Sequence, residues 1–243
     1  AMQVEARGGL NYVQIPNLLA CRSFANFMTV EAFLAYRDGR PDEALAICGD
    51  IVRFSNHIRD IPTLINQMIG VAITSIALEF LTHLAEYADF SEEAIEELDA
   101  LLARSDYRIA LDTSYEAERL FIMSIFRQEL FEQDPRFNQS LPRRFLVRTI
   151  FRLAAPVVNH DYATTLILFN ERHAISNMPF WESQSRIDAL RERTDNLGVL
   201  SPFTAMALPN LGRSFLSQIE NEIGVAGART VLVLRRYKQA KGQ

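Results

Sequence analysis

Apolar residues along the chain recur at the spacing that is typical of amphipathic helices. In the first stretch they stand near helical intervals at these positions: Leu19, Phe24, Phe27, Met28, Phe33 and Leu34. Gly39 is expected to end this helix, since glycine adopts the left-handed conformation found after many helices. Pro41 then opens a second helix, with Asp42 and Glu43 in the first turn, where acids favour the helix dipole.

The same periodicity predicts helices over most of the remaining chain. Their approximate ranges are 62–87, 92–104, 113–131, 143–155, 157–177, 179–195 and 209–237. Ser91 is expected to cap the fourth helix, Pro156 to break or kink the sixth, and Gly224 and Gly227 to interrupt the last. The fold class predicted from this pattern is all-α.

One face of the third predicted helix is small or polar. Its residues follow one another at spacings of three and four: Thr63, Gln67, Gly70, Thr74 and Ala77. Residues at these spacings share a helix face, so a neighbouring helix can approach closely there. The uncharged run 61–78 contains too many polar groups for a membrane span, which favours a central buried helix.

An internal repeat relates two parts of the N-terminal half. Residues 40–45 match residues 90–95, and Leu34-Ala35 matches Leu84-Ala85 in the same register. Each copy has a long helix, a tight turn and a second helix, which suggests stacked α-hairpins over residues 1–110. An irregular bundle over residues 111–243 is expected to pack on them as one continuous domain. The alternative is a chance similarity between amphipathic helices.

The composition supports long elements with few loops. Of 243 residues only 10 are glycine and 9 are proline, while 49% are hydrophobic and 23% are charged. The formal net charge of -5 argues against wholesale binding of nucleic acid, which usually needs a basic domain. Cys21 and Cys48 both lie in apolar helical patterns and are expected to be buried free thiols rather than a disulfide.

The stretch from Ala32 to Phe54 resembles one tetratricopeptide-type hairpin. The residues that carry this resemblance are Tyr36, Gly39, Glu43-Ala44-Leu45 and Ile51. The small side chain of Ala44 would let the two helices pack closely. The offset of 50 between the two copies departs from the tetratricopeptide period of about 34 residues.

A broader resemblance, over most of the chain, is to uncharacterised helical proteins of planctomycete-like bacteria. The segments that resemble theirs are 39–45, 62–65, 115–119 and 228–237. Members of that group often carry an N-terminal membrane segment and continue past the final helix. The resemblance therefore implies that this chain is a fragment of an envelope-associated protein, and it implies no catalytic residue.

Motifs for familiar chemistries are missing from the sequence. It contains no nucleophile elbow, no phosphate-binding glycine loop and no dinucleotide fingerprint. Glu79 and His83 share a helix face, but the second histidine of a metalloprotease helix is not beside them. His160-Asp161 is similar to the metal-binding pair of helical phosphohydrolases, but His83 and Asp195 could supply the further ligands only if the fold brings them together. We therefore expect structural histidines, no metal and no cofactor.

A basic stripe leads to the first functional hypothesis. Arg144, Arg148 and Arg152 recur every four residues, and Arg143 adds to the same end. Such a helix can bind an acidic protein partner or lie on an anionic membrane surface. The alternative is a solvated face that pairs with the acidic helix beginning at Glu92. The hypothesis is a non-enzymatic helical scaffold that holds a protein partner on this stripe or on stacked hairpins.

The second hypothesis is a helical-bundle enzyme or small-ligand-binding protein. It places a buried polar site near Glu79, His83 and Glu118, and it requires these side chains to converge in one pocket. Elsewhere, Trp181 follows a predicted helix break. Core packing and the lip of a pocket are the two interpretations of this tryptophan.

Overall fold

A computed structural model describes residues 18–104, 107–126, 141–176, 178, 180–198 and 200–241. These residues form eight helices and no strand, which confirms the all-α prediction. The helices are α1 Leu18–Arg37, α2 Pro41–Arg59, α3 Leu64–Tyr87, α4 Glu92–Arg104, α5 Tyr107–Phe126, α6 Leu141–Ser176, α7 Phe180–Asp195 and α8 Pro202–Lys241.

Gly39 ends α1 as the sequence predicts. Its φ of 79° lies in the left-handed region that favours glycine. The Gly39 N–H donates to the Tyr36 carbonyl at 3.0 Å, and the Arg40 N–H donates to the Ala35 carbonyl at 2.9 Å. These two bonds satisfy the last carbonyls of α1 and turn the chain directly into α2.

Side-chain caps begin α3 and α4. The Thr63 hydroxyl accepts from the Asn66 N–H at 3.3 Å, and the Ser91 hydroxyl accepts from the Ala94 N–H at 3.2 Å. The Ser91 N–H in turn donates to the Asp42 carboxylate at 2.8 Å. The starts of α2 and α4, which carry the internal repeat, therefore lie side by side. Stacking of the tetratricopeptide kind stays a prediction.

The chain divides into two compact units. We call one the hairpin unit, which takes in the described residues of 18–111 and 214–241, and the other the middle unit, which takes in the described residues of 112–213. The sequence-based division placed residues 214–243 with the second half of the chain. The contacts place this segment with the hairpins, because the C-terminal half of α8 packs into their core.

The core of the hairpin unit lies between α1, α2, α3, α4 and α8. In α3 the small or polar stripe is buried at Gln67, Gly70, Thr74 and Ala77, as the sequence predicts. By length and composition α3 is apolar enough to cross a membrane, and half of its most apolar window is buried in the structure. The core helix of a folded unit meets the same criteria.

The expected break at Pro156 and the expected interruption near Gly224 and Gly227 do not occur, whereas a kink at Pro156 stays a prediction. Helix α6 continues across Pro156, and α8 continues across both Gly224 and Gly227. At Gly224 the reason is packing, because an added Cβ would lie 3.2 Å from Cδ1 of Leu78. Glycine here lets α8 approach α3 closely within an unbroken helix.

Candidate functional site

The predicted basic stripe lies on the N-terminal part of α6. Arg143, Arg144, Arg148 and Arg152 are helical, but their side chains are outside the part of the chain that the structure describes. Binding of a partner by this stripe therefore stays a prediction.

The acidic face of α4, which was the alternative partner of that stripe, pairs within the hairpin unit. Arg236 contacts Glu92 at 2.5 Å and Glu96 at 2.8 Å. Arg229 contacts Asp99 at 2.7 Å, and these hydrogen-bonded ion pairs raise the pKa of both arginines. The cations of the C-terminal helix thus bind α8 to α4.

The prediction of a buried site at Glu79 and His83 is wrong. Both side chains are exposed on α3. Glu79 and His83 are four residues apart, so they share one face of α3. The apolar residues that face the core lie on the opposite face, which leaves Glu79 and His83 exposed. Those core-facing residues are Ile73, Ala77, Leu81 and Leu84.

Glu118, the third residue of that predicted site, lies on α5 in the middle unit. It is partly buried, and burial raises the pKa of its carboxyl group. Desolvation therefore favours the neutral acid at this position.

Metal-binding groupings do not occur among the residues that the structure describes. No three histidine, cysteine or acidic side chains stand close enough there to hold an ion. His160 is exposed, while Asp161 is fully buried and accepts from the Thr204 N–H at 3.1 Å in the first turn of α8. Asp161 therefore caps a helix, which accounts for its burial without a metal.

The two cysteines are free thiols, as expected. Cys48 is buried in the core, and desolvation raises the pKa of its thiol to about 12. Cys21 is only partly buried, so the prediction of a buried thiol is wrong at this position.

The middle unit has a buried polar contact of its own. Arg172 is 1% exposed, and its Nη2 donates to the Tyr115 hydroxyl at 3.0 Å. The same guanidinium carbon lies 5.3 Å from the centre of the Tyr115 ring. The aromatic face and hydroxyl of Tyr115 therefore stabilise this buried cation together.

A buried polar layer joins α2, α3 and α8 in the hairpin unit. Arg59, at the end of α2, donates from Nε to Gln67 at 2.9 Å and from Nη2 to Gln218 at 3.3 Å. Gln67 also donates to the Arg59 carbonyl at 2.7 Å. The arginine stem lies across Gly70, where an added Cβ would approach Cγ of Arg59 to 2.2 Å. The absence of a side chain at Gly70 therefore makes room for Arg59.

The remaining polar groups of this layer differ in how well they are paired. The Ser55 hydroxyl donates to the Gly70 carbonyl at 2.6 Å and lies 2.7 Å from the Thr74 hydroxyl. Asn221, one turn beyond Gln218, is 2% exposed, and neither of its amide atoms takes a hydrogen bond. The polar groups between α2 and α3 are hydrogen-bonded, whereas the buried Asn221 amide without hydrogen bonds lowers the stability of the fold.

Helix α1 places its smallest apolar side chains toward the core. Ala25 and Ala32 are fully buried, and Ala35 is 2% exposed. These residues face α2 and α3, the two helices against which α1 packs most extensively. Because alanine is short, the helix axes can lie close together along this stripe.

The large apolar side chains of α1 point the other way. Phe27 is 68% exposed and Leu19 is 75% exposed. We define the outward face of α1 by its six exposed large apolar residues: Leu19, Phe24, Phe27, Val30, Phe33 and Leu34. A large exposed apolar patch on a folded protein often marks an interaction site. The outward face of α1 is therefore the best candidate for a functional surface in the described structure.

Other exposed apolar residues are mixed with charge or isolated. On α8, Val233, Leu234 and Tyr237 alternate with the cations that bind α4, and Lys241 lies 5.9 Å from the Tyr237 ring. Trp181 is 79% exposed, so of its two interpretations core packing is wrong. None of these matches the outward face of α1 in size and uniformity.

No known protein family, curated protein or solved structure matches this chain.

Sequence reasoning found the apolar residues of α1 but took their pattern only as the mark of a helix. The signal that separates the two faces is the stripe Ala25, Ala32 and Ala35, whose spacings of seven and three place them together. A helix with alanines on one face and phenylalanines on the opposite face could turn either face toward the core. Only the packing of α2 and α3 against the alanines decides between them.

Proposed function

We propose that this protein is a helical interaction domain that binds a protein partner through the outward face of α1. The observation that carries the proposal is the exposure of Phe27, Val30 and Phe33, each at least half exposed, on a helix whose most deeply buried side chains are alanines. Burial of such side chains against a partner releases the same free energy as burial in a core.

The size of this surface supports the proposal. At their exposed fractions the six side chains present about 600 Å² of surface, since a large side chain contributes roughly 150–250 Å² when fully exposed. Apolar patches on monomeric proteins seldom exceed about 300–600 Å², and patches at this limit are often functional.

Charge supports it as well. Only three charged residues occur along α1, namely Arg22, Glu31 and Arg37. By contrast, the outward side of α2 carries Asp50 and Arg53, which pair with each other at 2.7 Å. A helix face with few charges loses little hydration energy when a partner covers it.

Site-specific photo-crosslinking in the native host tests this proposal. A photoreactive phenylalanine analogue at Phe27 should give a covalent protein adduct of higher mass. The same analogue at Tyr36, which is partly buried against the core, is the matched control and should give none. Equal adducts at both positions, or none at Phe27, would refute the proposed surface.

A further inference from the structure

The outermost residues of α1 form a seam with alternating spacings of three and four. Its positions are all exposed: Ala20, Ser23, Phe27, Val30, Leu34 and Arg37. This spacing is that of the core positions in paired helices, where side chains of one helix pack between those of another. The seam therefore fits a partner helix that lies nearly along α1.

Side-chain size changes along the seam. Its N-terminal positions, Ala20 and Ser23, are small, whereas Phe27, Val30 and Leu34 are large. The Ser23 hydroxyl already donates to the Leu19 carbonyl at 3.0 Å, so covering Ser23 leaves no unpaired hydroxyl proton.

An antiparallel second copy matches this gradient. With a twofold axis between Phe27 and Val30, Ser23 lies opposite Leu34 of the other chain and Phe27 lies opposite Val30. Large side chains then fill the space above small ones, which is the arrangement that dense packing requires. A parallel pair would set small against small and leave a gap at one end.

The area fits a weak self-association. The seam residues Phe27, Val30 and Leu34 present about 300 Å² per chain at their exposed fractions, and flanking side chains raise the area that two chains bury to less than about 1,200 Å², which is typical of weak complexes. A twofold contact uses the same surface on both chains, so no second binding patch is needed.

We infer that two copies of this chain associate through an antiparallel pairing of their α1 helices along the seam. This inference depends on the interaction function proposed above, and it names a second copy as the partner.

Sedimentation of the full chain, from roughly micromolar to 100 μM, tests the pairing at the concentrations where an interface of this size is populated. The wild type should sediment as a dimer. The double variant Phe27→Glu and Val30→Glu should be monomeric with unchanged helicity. The matched control, Val233→Glu and Leu234→Glu, changes two exposed apolar residues of α8 and should stay dimeric.

A disulfide assay tests the orientation without weakening the fold. Chains with Ser23→Cys and chains with Leu34→Cys, both with Cys21→Ala, are mixed and oxidised with oxidised glutathione. The antiparallel pairing predicts a disulfide between the two kinds of chain and none between two chains with Ser23→Cys. Disulfides between two Ser23→Cys chains would overturn the inferred orientation.

The outcomes separate this inference from the proposed function. A monomeric wild type whose Phe27 still crosslinks to a different protein would overturn self-association and leave the interaction function standing. A monomeric wild type without any adduct at Phe27 would overturn both.

Discussion

Helices α1 and α2 form one hairpin, yet they distribute side-chain size in opposite ways. Helix α2 turns Leu45, Ile51 and Val52 toward the core, where each is at most 1% exposed. Helix α1 turns alanines toward the same core and leaves Phe27 and Val30 outside. These large side chains of α2 are thus buried within the chain, whereas those on the outward face of α1 stay at least 40% exposed, although Phe24 also contacts Phe54 at 5.4 Å between ring centroids. This contrast is the reason to seek a partner at α1.

The polar side chains of α2, like its apolar ones, find their partners within the chain. Arg53 on α2 reaches both Asp50 and Glu97 at 2.7 Å, so its charge is used within the hairpin unit. The buried end of α2 is equally occupied, because Arg59 bonds to Gln67 and Gln218. Helix α2 uses these charged groups within the chain, while α1 exposes six large apolar side chains.

The largest expected effect tests how closely Arg59, at the end of α2, packs against Gly70 of α3. Gly70→Ala should lower the free energy of unfolding by about 2 kcal/mol, because its Cβ collides with the stem of Arg59 and forces strain on a packed interface. Chemical denaturation measures this change.

Gly227→Ala is the matched control on α8, where an added Cβ meets nothing within 4 Å. It should raise the free energy of unfolding by about 1 kcal/mol through helix propensity alone. Equal effects at the two glycines would mean that Arg59 does not lie across Gly70, and the picture of α2 as fully packed would fail.

The next prediction concerns which side of α1 faces inward. Ala32→Leu should destabilise the chain by about 1–3 kcal/mol, since the fully buried alanine leaves no space for a larger side chain. Ala20→Leu, at an exposed position of the same helix, should change stability by about 0.5 kcal/mol or less. Thermal unfolding of the two variants compares them, and a tolerated leucine at position 32 would reverse the assigned orientation of α1.

The smallest expected effect concerns the outer side of α2. Arg53→Ala should cost about 0.2–1 kcal/mol, and less at high salt, because its ion pairs with Asp50 and Glu97 are exposed to solvent. The Arg53→Ala variant should have the same association state as the wild type. If Arg53→Ala abolished association, as Phe27→Glu with Val30→Glu is expected to do, the contrast between the two helices would not describe the interface.

Much of the fold follows from local sequence chemistry. Gly39, Ser91 and the apolar periodicity predict helix ends and helix faces, since caps and periodicity depend on neighbouring residues alone. The sequence also predicts the close approach at Gly70. It does not reveal Arg59 as the side chain that occupies that space, because the pairing of Arg59 with Gln218 joins residues 159 positions apart.

The candidate surface was less accessible to prediction. The pattern of Phe24, Phe27 and Phe33 indicates a helix with a large apolar face, and such a face normally points inward. Its outward direction depends on how α2 and α3 pack against Ala25 and Ala32, which is a tertiary property. Glu79 and His83 show the same limit, since the apolar stretch around them suggested burial and the helix rotation exposes them.

The concentration dependence of the unfolding temperature tests the central claim most directly. If α1 pairs with a second copy, the folded dimer is favoured by mass action, and the unfolding temperature should rise by about 2 °C for each tenfold increase in chain concentration. The variant with Phe27→Glu and Val30→Glu should show a constant temperature. A wild-type unfolding temperature that does not change with concentration would contradict the account.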